Sequence, residues 1–267
     1  MKTNIILHFL ILFTCFAGCS SDEDILPAQP GNVIVLMYHR IVNGPATNLY
    51  ERSASDLEDD LKFLKANSIN VIPFSDLEQI LSDGQMPAGN SAILTFDDGD
   101  HSWYSIVKPL LLKYKMKATF FLWTYMIGHD SFINWTEVEE MSYYTTEEGE
   151  HPFTFGSHSY SHVYLLQSRA SFETEEEYNA FLDYQLGVSK EMIEAHTPGE
   201  VTILSLPFGD GAGDPDIIAA AKRNGYKFIR TSVWDAITKP DINLFEIPSL
   251  PILDDTTTDL IWSYLNQ

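Results

Sequence analysis

What most constrains this chain is an alternation. Seven short strand-like runs fall at 33–38 (VIVLMY), 70–73, 91–96 (SAILTF), 117–123 (KATFFLW), 153–158 (FTFGSH), 203–208 (ILSLPF) and 226–230 (YKFIR). Helix-like stretches separate most of them. In SDLEDDLKFLKAN (55–67), Leu57, Leu61 and Leu64 share one face and Ser55 is placed to cap the helix. Further helices are expected at 75–82, near 104–115, at 173–195 and at 214–224. Strands that alternate with helices build a parallel sheet. This number of units suits an α/β barrel better than an open doubly wound sheet. No internal repeat or second shift in composition marks another domain, and 267 residues is a normal length for one barrel with short extensions.

In such barrels the chemistry sits where strands end and loops begin. That rule singles out Asp97 and Asp98 after SAILTF, His158 after FTFGS, Pro207 after ILSL, and His39 after VIVLMY. Adjacent carboxylates at a strand end are costly unless positive charge lies beside them. Asp98-Gly99 is also an ordinary turn pair. The functional alternative has one carboxylate binding a metal and its neighbour acting as a base. In GSHSYSH (156–162), His158 and His162 are four apart, so a helical turn would put both imidazoles on one face. Alone, they read first as surface histidines in a serine-rich loop. Together with Asp98 they make a His-His-Asp set with room for water and substrate, suited to zinc, cobalt, nickel or iron.

Composition bounds the partners. A hydrophobic fraction of 45% and a charged fraction of 20% describe an ordinary globular protein. The net charge of −22 argues against nucleic acid and would tolerate or attract a polymer carrying free amines. Residues 1–18 read as a signal peptide: Met1-Lys2, then the apolar stretch IILHFLILFTCFAG, too short to span a bilayer comfortably. Cys19 follows directly and is the candidate lipidation site, with an ordinary secretory signal as the alternative. Residues 19–32 are acidic and contain proline, which suits a tether, and 33–267 form the expected domain. The only cysteines are Cys15 and Cys19, so the domain has no disulfide. The expected location is the cell envelope, on the outer membrane, through the lipid anchor alone.

TFDDG, HSYSH and LPFG resemble the first three motifs of the polysaccharide deacetylase family, the NodB-like carbohydrate esterases. The resemblance runs from about residue 33 to 260. It implies a distorted (β/α) barrel of about seven parallel strands and removal of acetyl groups from N-acetylglucosamine polymers or acetylated xylan. It assigns Asp97 as catalytic base and Asp98, His158 and His162 as ligands of one divalent metal, with zinc the expected ion and cobalt, nickel or iron the alternatives. The backbone N–H of Phe208 would stabilise the oxyanion, with Pro207 fixing its approach.

Two departures from the family pattern stand out. Ser205 occupies the place of an arginine that orients the base, and no histidine follows His196 to serve as general acid. Arg230, ending a strand, is a candidate for the missing arginine. VLMYHRI resembles the opening of the poly-β-1,6-N-acetylglucosamine deacetylases, a circularly permuted branch in which an N-terminal histidine supplies the acid. His39 matches it. His101, just after DDGD, is a further candidate for the pocket. Trp103, Trp123, Trp135 and Trp234 are either sugar-stacking or core residues. Two other readings stay open at this level: an O-acetyl esterase, and a non-catalytic glycan-binding lipoprotein.

Overall fold

The computed structural model describes residues 29–267; the signal stretch, Cys19 and most of the expected tether lie outside the described residues. The first half runs β1 (Pro30–Tyr38), β2 (Arg40–Val42), β3 (Glu51–Ser53), α1 (Ala54–Ala66), β4 (Asn70–Val71), α2 (Phe74–Ser82), β5 (Gly89–Asp98), α3 (Lys108–Tyr114) and β6 (Ala118–Leu122). The second half runs α4 (Trp135–Ser142), β7 (Phe153–Ser157), α5 (Glu175–Glu194), β8 (Ile203–Ser205), α6 (Pro215–Arg223), β9 (Phe228–Arg230), β10 (Leu250–Pro251) and α7 (Thr258–Leu265).

Seven strands pair in parallel in the order β10-β1-β5-β6-β7-β8-β9, with β4 set beside β5. The path curls into a distorted half-barrel. Segment 244–252 bridges its two ends: Thr231 N–H donates to Ile247 O at 2.8 Å, and Ile252 N–H to Met37 O at 2.8 Å. Among the described residues, no helix is long and apolar enough to cross a membrane.

Strand periodicity sets what faces inward. Val33, Val35, Ile93, Phe121, Ile203 and Phe228 belong to the smaller core cluster inside the sheet's curve. Ile34, Leu36, Ala92, Leu94 and Phe96 pack outward against the helices. Continuing the inward set by twos brings Met37, Asp97, Ser205 and Arg230 to the strands' C-terminal ends. The register aligns those ends: Tyr38 pairs with Phe96, Asp98 with Leu122, Leu122 with Ser157, Ser157 with Leu204, and Ser205 with Arg230.

The structure differs from the sequence expectation in several places. The helix expected near 104–115 opens with a π-helical turn, Trp103–Val107, before α3. ILSLPF yields a strand of only three residues, because Pro207 lacks the N–H a strand needs and starts a 3₁₀ turn. Residues 158–162 form no helix. Ser159 (φ 61°) and His162 (φ 51°) are left-handed, so a loop rather than a helical face brings the two histidines together. Five further elements, β2, β3, α4, β10 and α7, complete the described fold.

Candidate active site

Each functional side chain is delivered by a strand end or a loop pinned to a neighbour. Asp97 and Asp98 finish β5, with Asp98 at φ 88°, and both carboxylates approach His158 Nε2, Asp98 Oδ1 at 3.5 Å and Asp97 Oδ2 at 3.8 Å. The 158–162 loop is held by α5: Tyr160 N–H donates to Gln185 O at 2.9 Å and Ser161 N–H to Gln185 Oε1 at 3.0 Å. The Ser159 hydroxyl accepts from His162 N–H at 3.1 Å. Asp98, Ser159, His162 and Phe208 are all non-glycine residues at positive φ. Such conformations cost about 1–3 kcal/mol each and persist only where surrounding contacts over-determine them.

These elements surround a cavity of about 420 Å³ whose lining includes Met37, His39, Asp97, Asp98, His158, His162, Phe208 and Arg230. Ligand atoms of Asp98, His158 and His162 all lie within 4.8 Å of one another. Nε2 of His162 is 3.1 Å from Nε2 of His158 and 3.3 Å from Asp98 Oδ1. His158 Nδ1 lies 2.9 Å from the Ser205 carbonyl. A carbonyl only accepts, so Nδ1 carries the hydrogen and Nε2 presents a bare lone pair. Burial pushes the His158 imidazole down to about 4, with His162 and Arg230 acting in the same direction against Asp97 and Asp98. His158 is therefore neutral near pH 7. Burial alone would raise the Asp98 carboxyl, but His162, His158 and His39 reverse that and hold it far below the usual carboxylate range. Two imidazoles and an ionised carboxylate converging this closely fit a divalent ion.

Asp97, 1% exposed, lies behind this cluster with its Oδ2 3.8 Å from His158 Nε2. Its charge is met by Arg230, also 1% exposed, whose Nη2 donates to Asp97 Oδ2 and to the Ser205 hydroxyl. The Ser205 hydroxyl itself lies 3.2 Å from the same carboxylate oxygen. Burial works against the Asp97 anion, but Arg230, then His158 and His39, outweigh it and leave the carboxyl below its ordinary range. Thus a serine stands where an arginine was expected, and the guanidinium comes from the register partner on the next strand.

His39 lines the same cavity from the end of β1, its ring tilted 59° against Tyr50 at a centroid distance of 5.1 Å. Its carbonyl accepts from Trp103 Nε1 at 3.1 Å, while its Nδ1 is buried with no hydrogen-bond partner within the protein. Beneath it, Tyr38 donates to Asp60 Oδ2 at 3.1 Å. Arg52 grips the Asp60 carboxylate through Nε at 3.1 Å and Nη2 at 2.8 Å. Its Nη1 reaches the carbonyls of Leu253 at 3.1 Å and Thr256 at 2.8 Å. This buried network ties β1, β3, α1 and the segment after β10 into one support.

Phe208 lines the cavity at φ 58°, 54% exposed. Gly209 and Asp210 donate the hydrogen bonds of its 3₁₀ turn, so the Phe208 N–H stands outside them. Pro207 is buried, starts the 3₁₀ turn that sets the Phe208 backbone, and is absent from the cavity lining. His101 is a correction. It is absent from the cavity lining, exposed, and bonded to Glu137 at 3.1 Å, with its N–H held by the Ser131 carbonyl at 2.9 Å. Among the tryptophans, Trp234 lines the cavity, Trp123 stacks on His162 at 4.9 Å, Trp103 is core, and Trp135 stacks on His196. Leu49, Tyr50 and Leu253 also line the cavity, and no sequence pattern pointed to them.

The profile of the family described as Polysaccharide deacetylase matches residues 84–229, more than half of the chain. This chain belongs to the polysaccharide deacetylase family. The matched span runs from before β5 to the last residue but one of β9, and so carries Asp97, Asp98, His158, His162 and Phe208 but not His39. Among relatives of this polysaccharide deacetylase, a Staphylococcus aureus poly-β-1,6-N-acetyl-D-glucosamine N-deacetylase is 26% identical over 263 residues, covering 91% of this chain and 87% of that protein. Bacillus subtilis YxkH is 25% identical over 199 residues, 74% of this chain, which spans 64% of that protein's length. The fold matches the solved Streptococcus pyogenes deacetylase PplD, in complex with acetate, at a TM-score of 0.74 and 20% identity, covering 89% of this chain and 99% of that one.

Proposed function

We propose that this polysaccharide deacetylase removes N-acetyl groups from an N-acetylglucosamine polymer, of the poly-β-1,6 type, with one divalent metal held by Asp98, His158 and His162. The observation that carries this reading is the buried Arg230–Asp97 pair set directly behind the three-ligand cluster. It supplies a carboxylate kept ionised for proton abstraction beside, not within, the ligand set. A bound divalent ion, zinc or alternatively cobalt, nickel or iron, would acidify water and polarise the acetyl carbonyl.

The protein's own groups divide the remaining work. Asp97 takes the proton of the attacking water, and Arg230 and Ser205 orient its carboxylate. The Phe208 N–H donates to the carbonyl oxygen as negative charge develops there. His39 protonates the leaving nitrogen, which is required because an amine anion is a very poor leaving group. The family match and the Staphylococcus relative's named activity support the polymer class. One observation favours O-acetyl ester cleavage instead: His39 Nδ1 has no carboxylate partner, and an ester makes less demand on a general acid. We also propose that Cys19 carries a lipid that holds the enzyme at the cell envelope.

Acetate release from poly-β-1,6-N-acetylglucosamine, chitooligomers and acetylxylan separates these readings. Release with stoichiometric free amine from the first supports the N-deacetylase. Release from xylan alone assigns the esterase, and release from none removes both.

A further inference from the structure

The Phe208 backbone is unusual. A phenylalanine at φ 58° is followed by Gly209 at φ 67°, where a Cβ would sit 1.9 Å from Ser232 Oγ. Only glycine fits the second position, but nothing in the turn itself favours phenylalanine at the first. The reason lies across the cavity rim. Tyr164, two residues beyond His162, lays its ring on the Phe208 ring at 4.0 Å and 12°, and the His162 ring contacts Phe208 at 4.6 Å. A second tie joins the same two segments: the Asp210 carboxylate accepts from Leu166 N–H at 2.6 Å and from Gln167 N–H at 3.1 Å. Phe208 lines the cavity, whereas Tyr164 stands outside the lining and meets it only through the Phe208 ring.

We propose that Tyr164 and Asp210 form a latch that holds the left-handed Phe208 turn against the His162 loop, fixing the Phe208 N–H relative to the ligand cluster. Tyr164 is a positioning residue acting through Phe208. This rests on the deacetylase reading above for its catalytic consequence, but not for its structural one. Without the ring, Phe208 is free to leave its strained conformation and the N–H loses its aim. A stacked sugar platform would use the same two rings differently, gripping the polymer and leaving the N–H untouched.

The test compares Tyr164→Ala, Tyr164→Phe and Asp210→Ala with the unmodified protein, each loaded with zinc. Acetate release is measured from acetylated oligosaccharide and from a small acetyl ester. For Tyr164→Ala, kcat is expected to fall at least about tenfold on both substrates, short of the ~10²–10³-fold cost of losing an oxyanion donor outright. KM should stay within about twofold, zinc content should be unchanged, and Tyr164→Phe should restore kcat. Asp210→Ala should change kcat in the same direction. In ¹⁵N-labelled protein, the Phe208 amide resonance should move in Tyr164→Ala and return in Tyr164→Phe. A rise in KM on the oligosaccharide alone would overturn the latch in favour of a platform, and an unchanged kcat with an unmoved Phe208 amide would overturn it outright. If the unmodified protein releases no acetate, the functional reading fails and the Phe208 amide alone decides the latch.

Discussion

Arg230→Met is the most informative single perturbation. The guanidinium is 1% exposed, lies over the Phe121 ring at 5.3 Å, and supplies the principal positive charge facing the buried Asp97 carboxylate. Methionine keeps most of the volume and removes every donor. Asp97 Oδ2 then keeps the Ser205 hydroxyl at 3.2 Å and the His158 ring at 3.8 Å. Removing one partner of a buried ion pair costs about 3–5 kcal/mol, because the other charge stays buried and unpaired. With its principal counter-charge gone, burial is left as the dominant influence and pushes the Asp97 carboxyl upward. The sign reverses relative to the parent. In the parent the depressed Asp97 pKa contributes stability above the unfolded carboxylate's pKa and loses it as pH falls. In the variant the raised pKa makes the deficit largest at neutral pH and smaller as pH falls toward the carboxylate range. Urea unfolding at pH 7 and pH 5, with the pH profile of kcat/KM for acetate release, reads both consequences. The acid limb should move to higher pH, following the rise of the Asp97 carboxyl. An unmoved acid limb together with a stability deficit independent of pH would refute the role assigned to Arg230.

His39→Ala should keep its zinc, read by elemental analysis, while amide cleavage falls at least ~100-fold, the usual range for loss of a general acid; unchanged activity would return His39 to a structural role. The metal-free protein should lose stability as pH falls from about 6.5 toward 4, because His158 is pushed down to about 4 and the unfolded chain binds that proton first. The shift corresponds to about 3 kcal/mol, measurable as a falling urea midpoint that flattens in His158→Gln. Arg52→Leu strands Asp60, which is 0% exposed, and should cost about 3–5 kcal/mol in urea unfolding; a change below about 1 kcal/mol would show that the network beneath His39 carries little.

Much of this site can be read from strand arithmetic. The alternation of runs indicates a parallel barrel, and counting by twos from Ile93 carries Asp97 inward. The same count from Phe228 carries Arg230 inward, and its register partner is Ser205. That pairing explains how a chain lacking the expected arginine still supplies one. The histidine pair was legible as a set but not as a geometry, because left-handed Ser159 and His162 replace the helical turn that four-residue spacing suggests. Tyr50 and Leu49 reach the cavity through the β2–β3 pairing, whose three-residue strands leave no periodic trace. Tyr164 was equally silent, since its stacking on Phe208 depends on two loops 44 residues apart folding against each other. Closure between β9 and β10 uses backbone bonds from 244–252, which no side-chain pattern encodes.

Asp98, His158 and His162 are proposed to hold the ion on which acetate release depends. The most direct measurement strips the protein with a chelator and titrates zinc back while following acetate release from poly-β-1,6-N-acetylglucosamine. Activity should vanish on stripping and return in full at one zinc per chain, with no recovery in His158→Ala. Acetate release that survives stripping, or that returns equally in His158→Ala, would contradict it.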